Sequence, residues 1–144
     1  MRPASITMFD RLYLGATALG IINTVVSYDE TMAQLEADPA VAQMGMATAG
    51  FMFGALGVSV AISLLLWFLI SRKAITVAKW ILTVLTVIGT LMIPLSLSEM
   101  GLVPMIFTLV ITVMQLAAVW MLFRPDAKVW FEHGPKGMDP STFE

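Results

Sequence analysis

Residues 44–70 read MGMATAGFMFGALGVSVAISLLLWFLI, an apolar stretch without a single Asp, Glu, Lys, Arg or His. A helix needs about 20 such residues to cross the hydrocarbon core of a bilayer, so this stretch alone predicts a membrane span. Working outward, similar runs occupy 12–28, 80–97 and 102–123. The chain is therefore expected to be all-α, an integral membrane four-helix bundle of antiparallel up-down topology. Spans are expected at about 10–28, 42–70, 79–97 and 102–123, forming one domain over 1–123. Residues 124–144 would be a cytoplasmic, partly interfacial tail.

Composition supports this reading. Hydrophobic residues make up 58% of the 144 residues and charged residues 12%. Soluble proteins average about 45–50% apolar residues, Gly included, and about 25% charged. A soluble domain of this size could not bury so much apolar surface.

The eight Lys and Arg residues segregate. Arg2 and Arg11 precede the first span, Arg72, Lys73 and Lys79 separate the second from the third, and Arg124, Lys128 and Lys136 follow the fourth. The opposite connections carry only acids: Asp29, Glu30, Glu36, Asp38 and Glu99. Basic residues mark cytoplasmic loops, which places both termini in the cytoplasm. Trp67, Trp80, Trp120 and Trp130 all fall near that level, as an interfacial belt would.

Local signals predict the helix ends. Thr7-Met8-Phe9-Asp10 fits a capping box, starting the first helix near Met8 with Arg11 snorkelling outward. Asp38-Pro39 fits an N-cap and N1 pair before the second helix, which is longer than a bilayer needs and should tilt or protrude. Residues 31–37 could form a short surface helix. The turn 98–101 would make the third and fourth helices antiparallel neighbours. Cleavage as a signal peptide is not expected, because the first run lacks a small-x-small site and is interrupted by Asn23.

Small residues allow membrane helices to approach closely. Gly50, Gly54, Gly57 and Ala61 form one stripe on the second helix, including a GxxxG, with Ser59 and Ser63 roughly opposite. That stripe could make a homodimer or pack within the monomer. The second reading is favoured because four helices must already pack together, and it makes the second helix central. Gly15, Ala16, Ala18 and Gly20 on the first helix would complement it. Thr83, Thr86 and Thr90 on the third helix and Thr108, Thr112 and Gln115 on the fourth suggest a hydrogen-bonded seam. Pro94 frees the Thr90 carbonyl and should kink the third helix.

Chemistry is harder to find. No ionisable residue lies in the middle of any span, whereas proton-coupled transporters need one. The absence of Cys removes thiolate catalysis, Cys-ligated zinc and iron–sulfur clusters. The single His133 lies in the tail, so paired haem ligation within the chain is excluded. Met32, Met44, Met46, Met100 and Met105 form no tight cluster of the kind Cu(I) prefers. The acidic loop lacks the spacing of a calcium-binding loop. No metal, no cofactor and no nucleic-acid partner are expected, the net charge being −2. Asn23, Thr90, Thr108 and Gln115 remain as polar groups able to hold an uncharged or lipophilic molecule, although buried amides more often bond a neighbouring helix.

Arg2-Pro3-Ala4-Ser5-Ile6 with Phe9 and Leu12-Tyr13-Leu14 resembles the start of small uncharacterised bacterial inner-membrane proteins, and Leu122-Phe123-Arg124-Pro125 with Val129-Trp130-Phe131 is similar to their exit from the last span. The resemblance implies a bacterial inner membrane and no particular activity. The expected function is that of a non-enzymatic accessory subunit or self-associating membrane protein, with lipids and other membrane subunits, or itself, as partners. The alternative is a binder or conduit for a lipid, quinone or uncharged solute.

Overall fold

The computed structural model describes residues 2–96 and 100–134, with Leu95 and Ser96 described by backbone only. Among these residues all regular structure is helical: α1 (Ala4–Val26), α2 (Tyr28–Ala37), α3 (Pro39–Gln43), α4 (Ala49–Ser71), α5 (Thr76–Ser96), α6 (Leu102–Met121) and α7 (Pro125–His133). Three stretches, Ala49–Ser71, Thr76–Pro94 and Leu102–Met121, are long and apolar enough to cross a membrane. This is a membrane protein. Helix α1 has 23 residues, as α4 has, but carries Asp10 and Arg11 in its first half.

Two helix starts differ from expectation. Asp38 does act as a cap, accepting from the amides of Ala40 at 2.8 Å and Val41 at 3.4 Å with Pro39 behind it. The helix it caps is the short α3, however, and not the long α4. Gly45 adopts a left-handed φ of 66° just beyond α3, a conformation that ends helices and suits glycine. Thr48 then caps α4, accepting from the Phe51 amide at 3.2 Å. The apparent excess length of the second span is thus a break. The 23 residues of α4 reach roughly 35 Å at 1.5 Å per residue, close to bilayer thickness.

Helix α1 starts at Ala4, not near Met8. The Thr7 hydroxyl donates back to the Pro3 carbonyl at 3.3 Å, so the expected capping box does not form. Asp10 accepts instead from Arg2 Nη1 at 2.8 Å and from the Trp67 indole at 2.9 Å, and Arg2 also donates to Ser71 Oγ at 3.2 Å. The expected surface helix exists as α2, with Asp29 and Glu30 in its first turn, where the helix dipole favours negative charge. Glu30 reaches the start of α6 and accepts from the Gly101 amide at 3.4 Å. The rest of the expected turn, 98–99, lies outside the described residues, as do Lys136 and the tail beyond Gly134.

Helix α1 packs on α6 and α4, while α5 packs on α4 and α6. The most extensive of these contacts is α1–α6. There, a Cβ added at Gly15 would lie 2.9 Å from Met114 Cε, and Ala16 is buried. Helix α4 is therefore not the central element. The close partner for the small residues at 15–16 is α6.

The hydrophobic core cluster gathers at one end of the molecule. Ile6, Phe9 and Tyr13 open α1, Leu66 and Ile70 close α4, Ala74, Ala78 and Leu82 surround the start of α5, and Ala118 and Leu122 end α6. Ala127 and Trp130 of α7 complete this cluster. Elsewhere the long helices expose broad apolar faces, as they can where lipid replaces water. Trp130 is thus a core residue and not part of an interfacial belt; its indole donates to the Ile70 carbonyl at 3.2 Å, at the end of α4 where backbone acceptors lack helical donors. Trp80 and Trp120 remain exposed.

Asp126 ties α7 to α1 by accepting from the Ser5 amide at 3.0 Å. Burial acts to raise the Asp126 pKa, but hydrogen bonds from Ser5 and from the first amides of α7 outweigh it, so the carboxyl titrates below its ordinary 3.8. A depressed folded pKa contributes stability above the unfolded value and loses it as pH falls through the folded one. The acid sensitivity of unfolding below about pH 4 should shrink in Asp126→Asn. Thermal midpoints measured in detergent across that range would check this.

Candidate functional site

The stripe on α4 makes no close contact with the rest of the chain, and Gly54 stands at the rim of the groove between α4 and α5. Gly50, Gly54, Gly57 and Ala61 are all exposed. A Cβ added at Gly54 or Gly57 would meet nothing within 4 Å, and at Gly50 only the neighbouring Thr48 hydroxyl at 4.0 Å. At 3.6 residues per turn, the stripe lies opposite Met52, Leu66 and Ile70, which are the buried side of α4. Packing of the GxxxG within the monomer is therefore not what the fold does. The in-chain contacts of α4 use its other side.

A groove of about 710 Å³ opens between α4 and α5. Its walls are mostly apolar, with Phe51, Ile62, Leu66, Leu82 and Leu85 among them, and Tyr13, Ser59, Ser63, Thr86 and Gln115 supply the polar lining. A smaller cavity of about 200 Å³ lies between α1, α4 and α6, and Ser59, Ser63 and Gln115 line it too. The Gln115 amide makes no side-chain hydrogen bond to another described residue, so its donors and acceptor are free to meet a molecule in either space.

Of the four residues expected to bind a ligand, the groove recruits Gln115 alone. Asn23 stands at the end of α1, where its backbone and side-chain oxygens accept from Ser27. Thr90 donates to the Thr86 carbonyl at 2.8 Å, and Thr108 contacts Met100 Sδ at 3.9 Å. None of these three lines the groove. The expected seam between the third and fourth helices is also absent among the described residues. Thr83, Thr90 and Thr112 each turn back to a carbonyl four residues earlier, the local alternative open to any helical Thr. Pro94 lies in the last turn of α5, two residues before its end at Ser96, so no long segment follows it to act as a hinged arm.

Tyr13, Ser59 and Ser63 were not legible as lining residues. The i, i+4 spacing of the two serines on the side of α4 opposite the glycines was the available signal. It marks a polar strip, while the gap it faces depends on how far α5 stands off.

These features define a class: a small helical membrane protein with an open groove and an unpartnered small-residue face. Comparison with protein-family models, curated proteins and solved structures finds no match that narrows it further.

Proposed function

We propose that this chain is a four-span protein of a bacterial inner membrane, with both termini cytoplasmic and no catalytic chemistry. It acts as a self-associating or accessory subunit through the small-residue face of α4. The observation that carries this reading is the exposure of Gly50, Gly54, Gly57 and Ala61 on the side of α4 opposite its buried residues, with Gly54 at the rim of the groove. In lipid, helix association rests on close backbone approach and dispersion, which such a face permits. The proximity of Ser5 and Asp126 brings the two described ends to the same end of the molecule, the one that carries the described Lys and Arg residues.

Gly54→Leu with Gly57→Leu should convert an oligomer or hetero-complex in mild detergent into monomer. The thermal stability of the monomer should be nearly unchanged, since a Cβ added at either position meets nothing within 4 Å. Light scattering and co-purification from the native membrane would read this. A monodisperse wild-type monomer without any partner would sink the proposal.

A second reading, a binder of a lipophilic or uncharged molecule, is favoured by the groove and by Gln115, which lines it. Gln115→Leu should weaken retention of such a molecule about five-fold, the value of one hydrogen bond of about 1 kcal/mol. Native mass spectrometry of the purified chain would show it, and equal retention by both proteins would refute the reading.

A further inference from the structure

Lys79 occupies an unusual place for a cation. It is 8% exposed, and its Nζ lies 4.8 Å from the ring centre of Phe131, 4.9 Å from that of Phe123 and 5.7 Å from that of Trp80. Among the described residues the ion pair is Arg2–Asp10, and no described carboxylate stands within ion-pair distance of Lys79. Lys128 adds a repulsive influence. Rings stabilise a partly desolvated ammonium only in part, which leaves room for an anion to approach it. Beside this cage lies an open pocket of about 360 Å³ lined by Trp120, Phe123, Arg124 and Pro125. Phe123 belongs to both. Arg124 and Lys128 are exposed, and Trp120 and Trp80, 70% and 54% exposed, flank the site with rings suited to the headgroup level of a bilayer.

We propose that the corner formed by Lys79, Phe123, Arg124 and Lys128 binds the phosphate headgroup of an anionic phospholipid from the adjoining leaflet. The phosphate supplies the counter-charge that the fold leaves out. Arg124 engages it at the pocket, Lys128 closes from the first turns of α7, and the acyl chains run along the apolar surface beside Trp120. Basic pockets between membrane helices take anionic headgroups by this chemistry. The site is independent of the α4 association face, so Gly54→Leu leaves it intact.

The test is binding of phosphatidylglycerol, phosphatidylcholine and inorganic phosphate to the detergent-solubilised full chain, read by native mass spectrometry and thermal shift. The wild type should retain phosphatidylglycerol in preference to the other two. Arg124→Gln with Lys128→Gln changes only exposed residues and should weaken that binding about 25-fold, roughly five-fold for each charge. Arg72→Gln with Lys73→Gln removes the same charge from the same end, where those side chains lie over Trp67 and Phe68, and should alter binding less than about three-fold. Equal losses in the two double variants would mean a diffuse basic surface and overturn the site. Protection by inorganic phosphate as strong as by the lipid would overturn the lipid assignment, and undiminished binding in Arg124→Gln with Lys128→Gln would overturn the proposal altogether.

Discussion

Phe9→Ala is expected to lower the unfolding free energy by about 3–5 kcal/mol, the range for removing a buried ring. Phe9 is 0% exposed and sits in the cluster that holds the starts of α1 and α5 to the ends of α4 and α6. Its ring also stacks on Tyr13, with centroids 5.3 Å apart and planes inclined by 24°. The cavity left behind would remove dispersion contacts on several helices at once. No lipid chain could refill it, because α7 closes that end through Ala127 and Trp130. Reversible unfolding in mixed micelles would measure the loss. A change below about 1 kcal/mol would mean that the cluster is not the cohesive core described here.

Gly15→Leu is expected to break the α1–α6 contact. Even a Cβ at Gly15 would lie 2.9 Å from Met114 Cε. Methionine is flexible and could yield to alanine, but the branched end of leucine must force the two backbones apart. Overpacking typically costs about 1–3 kcal/mol and occasionally more, and the upper part of that range applies because α1–α6 is the most extensive helix contact in the chain. The same replacement at Gly54 meets open space. Glycine-to-leucine changes at 15 and 54 should therefore separate: the first lowers monomer stability, and the second leaves it nearly unchanged while altering association and the rim of the groove. Thermal unfolding and light scattering on the two variants would establish the contrast.

The glycine comparison shows how far a pattern can be read. Spacing alone identified the α4 stripe as a packing surface, and the repeat Gly50, Gly54, Gly57, Ala61 is correct as a face of that helix. Which neighbour it meets was a separate question. The argument that four helices must pack together favoured an internal role, yet the fold satisfies α4 with Met52, Leu66 and Ile70 on its other side. The threonines gave a similar result. Their spacing suggested a seam, but the Thr83, Thr90 and Thr112 hydroxyls each have a carbonyl four residues earlier, and that local bond needs no second helix.

At the helix ends, local chemistry competed with composition. Residues 44–48 read as a continuation of an apolar span, and hydropathy alone could not interrupt them. Gly45 and Thr48 ended one helix and began the next through a left-handed backbone and a capping hydroxyl. Asp10 fits the last position of a capping box that opens at Thr7. It became the acceptor for Arg2 and Trp67 because α4 brought the indole within 2.9 Å.

What could be read directly is what depends on composition and short range: helical structure throughout, long apolar segments, a surface helix in the acidic loop and the one-sided placement of Lys and Arg. These follow from the transfer energies of side chains and the backbone's need for internal hydrogen bonds in lipid. The groove with Gln115 beside it, the burial of Lys79 and Trp130, and the outward aim of the glycine stripe depend on how far helices remote in sequence stand from one another. In a bilayer nearly every side of an apolar helix is compatible with its surroundings, so hydrophobic pattern cannot select the side that packs. The 44–70 stretch accordingly announced a membrane helix, while the contacts of Phe9, Tyr13 and Leu82 with its far end selected the face that it leaves open.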